Sequence, residues 1–81
     1  MKVRVGLFAV ARELAGAESL ELDLPEGATV TELRAALALH TPELARVLSH
    51  VLFAVGSDYV RDNAVLSPDS EVACIPPVSG G

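Results

Sequence analysis

Five consecutive apolar residues, Val51-Leu52-Phe53-Ala54-Val55, run directly into Gly56-Ser57-Asp58. The run is shorter than an ordinary helix, contains β-branched and aromatic residues, and is cut off by turn formers, so it reads as a strand. Because it does not alternate with polar residues, it is expected to be a central strand buried on both faces. Such a strand commits the chain to a sheet, and the sheet to a covering layer. With 81 residues there is room for one domain and one thin core.

The rest of the sheet is written in period-2 patterns. Val3, Val5 and Leu7 alternate with Lys2, Arg4 and Gly6, as a half-buried strand does. Phe8 falls on the polar parity and is expected to point away from the main core. Leu20, Leu22 and Leu24 alternate with Glu21 and Asp23 until Pro25-Glu26-Gly27 closes that strand. Tyr59-Val60 reads as a very short strand. Glu71-Val72-Ala73-Cys74-Ile75 is the last strand, preceded by the turn Ser67-Pro68-Asp69-Ser70 and stopped by Pro76-Pro77.

Helical signals fall between these strands. Val10 to Gly16 is rich in helix formers and ends on glycine. Thr29-Val30-Thr31-Glu32 fits a capping box, after which Val30, Leu33, Ala36 and Leu37 share a face. Pro42 pushes Thr41 out of the helical region, so this main helix ends near His40. Thr41, with Pro42 at the first position, is expected to cap a second short helix that buries Leu44, Val47 and Leu48. The order implies an α+β sandwich of sheet on helix, with the first and last strands parallel at its centre.

Composition removes several functions. The net charge is -5, and Lys2, Arg4, Arg12, Arg34, Arg46 and Arg61 are scattered, so a nucleic-acid partner is not expected. The acidic balance suits either plain solubility or a positively charged partner. No apolar run is long enough for a membrane helix, and no signal-peptide pattern opens the chain. One cysteine permits no internal disulfide, which fits a reducing cytoplasm. His40 and His50 lack a second ligand set, so no metal site is expected. Asp58, Asp62, Asp69 and Glu71 read as solvated turn and edge residues. Cys74 shares the parity of Val72 and reads as a buried apolar side chain, not a nucleophile.

The last six residues, Pro76-Pro77-Val78-Ser79-Gly80-Gly81, are the unusual feature. The diproline ends the sheet. The domain is therefore expected to span 1–77, with 78–81 as a flexible tail that reaches about 13 Å when extended. Such a tail presents a bare α-carboxylate, ionised at neutral pH with a pKa of about 3.5. An ATP-dependent enzyme can convert that carboxylate to an acyl adenylate, and glycine leaves the reacting carbon uncrowded. A frayed terminus accounts for the same residues equally well.

Leu7-Phe8-Ala9-Val10-Ala11-Arg12-Glu13-Leu14 is similar to the amino-terminal signature of the small subunit of molybdopterin synthase, and residues 71–81 resemble that family's ending. The likeness covers the whole chain. Its middle is generic and its two ends are specific. The resemblance implies a ubiquitin-like β-grasp fold, a mixed sheet wrapped on one main helix plus short helices. It also implies that an E1-like adenylating enzyme uses ATP to adenylate Gly81, and that a persulfide sulfur donor then yields a thiocarboxylate. In that scheme the tail enters the large synthase subunit of a heterotetramer and donates sulfur to cyclic pyranopterin monophosphate. The chain itself binds no cofactor. Gly81 matches the sulfur-bearing position and Gly80 its approach residue. Phe8, Arg12, Ile75, Pro76, Pro77, Val78 and Ser79 match partner-facing positions. For Phe8 and Ile75 a second small core under the first helix is the alternative, and for Arg12 an ordinary surface charge. Gly56 departs from the family, where asparagine often stands.

Three other functions share these features. A thiamin-pathway sulfur carrier has the same fold and Gly-Gly end but usually lacks the diproline and the Phe-Ala-x-x-Arg-Glu start. A protein modifier would use the same adenylate to acylate lysines. A plain binding module would have no use for Gly81.

Overall fold

The computed structural model describes residues 1–77. The expected tail, with Val78, Ser79, Gly80 and Gly81, lies outside the described residues. Strand β1 spans Lys2–Leu7, helix α1 Ala9–Ala15, β2 Ser19–Asp23 and α2 Val30–His40. A 3-10 turn at Pro42–Leu44 leads into α3 at Ala45–Leu48, followed by β3 at Leu52–Val55, β4 at Asp58–Val60 and β5 at Glu71–Ile75.

The five strands form one sheet in the order β2-β1-β5-β3-β4. β1 and β5 are parallel, with Val5 opposite Val72 and Leu7 opposite Cys74. The other pairings are antiparallel. The first and last strands therefore meet in the middle, as the element order suggested. Val3, Val5, Leu7, Val72, Cys74 and Phe53 bury one face of the sheet against Val30, Leu33 and Leu37 of α2 and against Leu44 and Leu48. Burying aliphatic and aromatic side chains of this size contributes about 1.5–3 kcal/mol each.

The apolar run at Val51 to Val55 is not the centre of the sheet. β5 is, and β3 lies one place further out. Nor is β3 buried on both faces: Phe53 is covered, while Leu52 is 54% exposed. Helices cover only one face, so alternate residues of any strand emerge on the other, whatever their polarity. Leu20 is only partly buried because β2 is an edge strand.

The capping box forms as expected. Thr29 Oγ1 accepts the Glu32 N–H at 3.4 Å, and the Thr29 N–H donates to Glu32 Oε1 at 3.2 Å. Thr29→Ala is expected to cost about 1 kcal/mol and to lower the melting temperature by about 4–8 °C in a thermal melt. Thr41 behaves differently from expectation. Its hydroxyl lies 2.9 Å from His40 Nδ1 and caps nothing in the next turn. That turn is started by Pro42, whose fixed φ suits the position, and by the Leu44 N–H donating to the Thr41 carbonyl at 2.9 Å.

Asp62 is exposed, as the sequence suggested, but its carboxylate is paired with Arg34, which is itself mostly covered. Arg34 Nη1 donates to the carbonyls of Leu48 and Val51, and Nη2 donates to Asp62 Oδ1 at 2.8 Å. The guanidinium also stands 5.0 Å from the Phe53 ring centroid. The Asp62 carbonyl accepts from both the backbone N–H and the hydroxyl of Thr31, each at 3.0 Å. Together these bonds tie α2 to β3 and to the segment before β5.

Candidate functional site

One sheet face carries no helix. Gly6, Ala73, Ala54 and Tyr59 form a single cross-strand row on it. The three inner members are small, so the row is a shallow groove of about 280 Å³, bordered by Phe8, Arg4 and Glu71. Arg4 stands 4.0 Å from Glu21, and both are exposed, so this pair adds little to stability.

Phe8 is placed by the corner between β1 and α1. Its own backbone is extended, but Ala9 takes a left-handed φ of 52°, a conformation that costs a non-glycine residue roughly 1 kcal/mol or more. That reversal starts α1 and leaves the Phe8 ring lying over Gly6, where an added Cβ would be 3.5 Å from it. Phe8 is 45% exposed. It therefore points away from the main core, as its parity required, and it does not form a second core under α1. Arg12 braces the same corner: its Nε donates to the Leu7 carbonyl at 3.3 Å, and its guanidinium is 3.9 Å from Glu18. Half of the Arg12 side chain remains exposed.

Ile75 shares the open face. It is opposite Leu52 in register, while its neighbours Val72 and Cys74 face the core. Pro77 is exposed, whereas Pro76 is buried. The Pro76 ring therefore belongs to the packing at the sheet's end, and a docking contact through it is not supported. The structure thus brings Phe8, Ile75 and Pro77 to the end of the sheet from which the chain leaves toward Gly81. Gly80, Gly81, Val78 and Ser79 are outside the described residues.

Two members of this apolar face escaped the sequence reading. Leu52 was hidden in a run without alternation. Tyr59, 66% exposed, sits in a strand of three residues with no pattern of its own. The signal was the two-residue turn. Gly56 has a φ of 62°, and Val55 pairs with Asp58, which carries the parity of Ala54 across to Tyr59. An asparagine tolerates that backbone too, so the departure at Gly56 leaves the hairpin unchanged.

Cys74 is fully buried, as expected. Burial pushes its thiol from 9.0 up to about 11, and the nearby Arg34 charge offsets part of the shift. A pKa raised by folding stabilises the native state below the unfolded value and withdraws that stability as pH rises to the folded one. Between pH about 9 and about 11 the protein is expected to lose on the order of 2 kcal/mol that a Cys74→Ala variant does not lose. Urea melts at the two pH values measure the difference. Rapid alkylation of native Cys74 at neutral pH would contradict the assignment. Among the described residues no three potential metal ligands cluster, and no helix is long and apolar enough to cross a membrane.

The ThiS family model matches residues 5–81. A molybdopterin synthase sulfur carrier subunit from Arabidopsis thaliana is 41% identical over 81 residues, covering 100% of this chain and 84% of that protein. SAMP1 from Haloferax volcanii superposes with a TM-score of 0.88 at 28% identity over the whole of both chains. A chain in the complex of subunits 1 and 2 of molybdopterin-converting factor from Helicobacter pylori matches with a TM-score of 0.70 at 23% identity, again over 100% of both, and that likeness speaks for the fold alone. The architecture is the ubiquitin-like β-grasp. With relatives matched from end to end, the chain belongs to the ThiS family, together with the molybdopterin synthase sulfur carrier subunits.

Proposed function

We propose that this chain is the sulfur carrier subunit of a molybdopterin synthase. The observation that carries the reading is the full-length match to carrier subunits of that name. In this mechanism a Gly81 carboxylate oxygen attacks the α-phosphate of ATP on an E1-like enzyme, and pyrophosphate leaves. A persulfide from a donor protein attacks the acyl carbon, and AMP leaves. A thiol then reduces the resulting acyl disulfide, and the thiocarboxylate remains at Gly81. Inside the large subunit this sulfur attacks a carbon of cyclic pyranopterin monophosphate as an oxygen leaves that carbon, water then cleaves the acyl–sulfur bond and returns Gly81 to its carboxylate, and two such transfers build a dithiolene. The chain supplies the carrier end and the docking face but no bound cofactor. A need for ATP and reducing thiols would suit a cytoplasmic location.

The relatives at 41% and 39% identity are named as subunits of molybdopterin synthase, which supports a large-subunit partner for this chain. The open face suits that partner. Phe8, Leu52, Ile75 and Tyr59 form an apolar surface beside the tail's exit, and a partner that covers it fixes the direction of the tail. Phe8→Ala is expected to weaken large-subunit binding by about 1–3 kcal/mol while leaving the urea midpoint nearly unchanged. Titration calorimetry and urea melts on the same variant separate docking from stability. The decisive experiment is intact mass after incubation with the activating enzyme, ATP and a persulfide donor. The expected gain is one oxygen-for-sulfur exchange at Gly81. An unchanged mass alongside pyrophosphate release would refute the sulfur step.

The likeness to SAMP1, a small archaeal modifier protein, favours a second reading in which Gly81 is joined to lysines of other proteins. Covalent conjugates recovered from cells would support it. The thiamin-pathway alternative is tested by offering thiazole synthase in place of the large subunit.

A further inference from the structure

A glycine inside a strand weakens it, because it has the most backbone freedom to lose and no side chain to pack. Gly6 sits within β1, paired with Ser19 on one side and Ala73 on the other. Its backbone does not require glycine. The positive-φ glycines of the described chain are Gly16, Gly27 and Gly56, and Gly6 is not among them. Backbone crowding does not require it either. The nearest backbone atom to a Cβ at position 6 is the Val72 carbonyl oxygen, at 3.9 Å, an ordinary contact. The other neighbours both belong to the Phe8 ring, Cε2 at 3.5 Å and Cζ at 3.9 Å. What the missing side chain leaves room for is therefore the far edge of an aromatic ring.

Phe8 has little else to hold it. It follows the last residue of β1, and Ala9 turns the chain away at once. The ring lies on the open face, outside the packing that fixes Phe53. The surface beneath it is the small row Gly6, Ala73 and Ala54, and the ring forms one border of the groove above that row. An aromatic ring laid over a strand glycine covers backbone that the glycine leaves open, which stabilises the pair. A valine at position 6 takes this place away. It fills two of the three staggered positions on Cβ, each about 1.5 Å further out. The ring already lies 3.5 Å from the Cβ itself. Carbon atoms pack at about 3.5–4.0 Å, so the ring is displaced.

We propose that Gly6 is a positioning residue for docking: its bare Cα seats the Phe8 ring, before any partner arrives, where the large subunit meets it. The inference rests on the reading that Phe8 anchors that partner. Gly6 acts through Phe8, because a ring already in place does not have to be ordered on binding.

The test compares the full-length wild type with G6A, G6V, G6T, F8A and the double variant G6V/F8A. Titration calorimetry against the large subunit reads affinity, and urea melts read stability. G6V is expected to bind about 3- to 10-fold more weakly, the cost of ordering one side chain, with its urea midpoint unchanged or raised. G6T, similar in size and more polar, is expected to match it. G6A is expected to change affinity less than about twofold, because its Cβ only touches the ring. G6V/F8A is expected to bind no more weakly than F8A. In the chain alone, the Gly6 Hα signals are expected to carry a ring-current shift that F8A removes. Wild-type affinity in G6V and G6T would overturn the proposal. So would a further loss in G6V/F8A equal to that of G6V alone, which would mean that the valine obstructs the partner directly. A Gly6 Hα shift indifferent to F8A would show that the ring is not seated there. Wild-type affinity in F8A is a different failure: it would remove the anchor reading, and the inference with it.

Discussion

Adding one residue after Gly81, or deleting Gly81, is expected to reduce adenylation by at least about 100-fold. One residue shifts the terminal carboxylate by about 3.5 Å, several times the 1 Å misplacement that already costs a factor of that order. The same change is expected to leave the domain folded, because its core is built from residues between Val3 and Cys74. Pyrophosphate release measures the loss, and a thermal melt on the same sample checks that the fold is intact. A variant that is adenylated at the wild-type rate would show that the working group is not the terminal carboxylate. A glycine-to-alanine change at position 81 should have a smaller effect, because it adds a Cβ without moving the acyl carbon.

Phe53→Ala is expected to cost about 3–5 kcal/mol in unfolding free energy. Phe53 is among the largest fully covered side chains, on the strand next to β5, and Arg34 lies over its ring. Removing the ring leaves a cavity between sheet and helix and takes away the face on which the guanidinium rests. Domains of this kind have about 5–15 kcal/mol in total, so an 81-residue chain stands to lose much of its margin. Urea denaturation gives the value, and Phe53→Leu, which refills most of the space, should recover at least half of it. A loss below about 1 kcal/mol would mean that the core is assembled around other residues.

Much of this fold is legible in the sequence because its signals are local. Val3, Val5 and Leu7 declare a strand face by alternation alone, and the reciprocal Thr29–Glu32 bonds need only four consecutive residues. Phe8 could be placed off the core by counting parity from Leu7. What failed were statements about neighbours that alternation does not encode. The Val51 to Val55 run announces burial without saying how many layers cover the sheet, so Leu52 was misread. Arg34 looked like one of several scattered charges, because its partners lie 14 to 28 residues away at Leu48, Val51 and Asp62. Pro76 matched a partner-facing position of the family, yet its ring is buried just past the end of β5. Within the candidate site, Phe8 and Ile75 followed from parity, while Tyr59 required knowing where β4 pairs.

The parallel pairing of β1 with β5 has a consequence for how the molecule is made. Residues synthesised first have no central partner until almost the last codons are translated. A truncated or half-emerged chain therefore lacks the middle of its sheet and exposes the apolar side of Val3, Val5 and Leu7. Closing so long a loop slows assembly, but it makes folding a check on completeness. A chain that stops before β5 lacks the strand that joins β1 to β3, and its two half-sheets have nothing to hold them together.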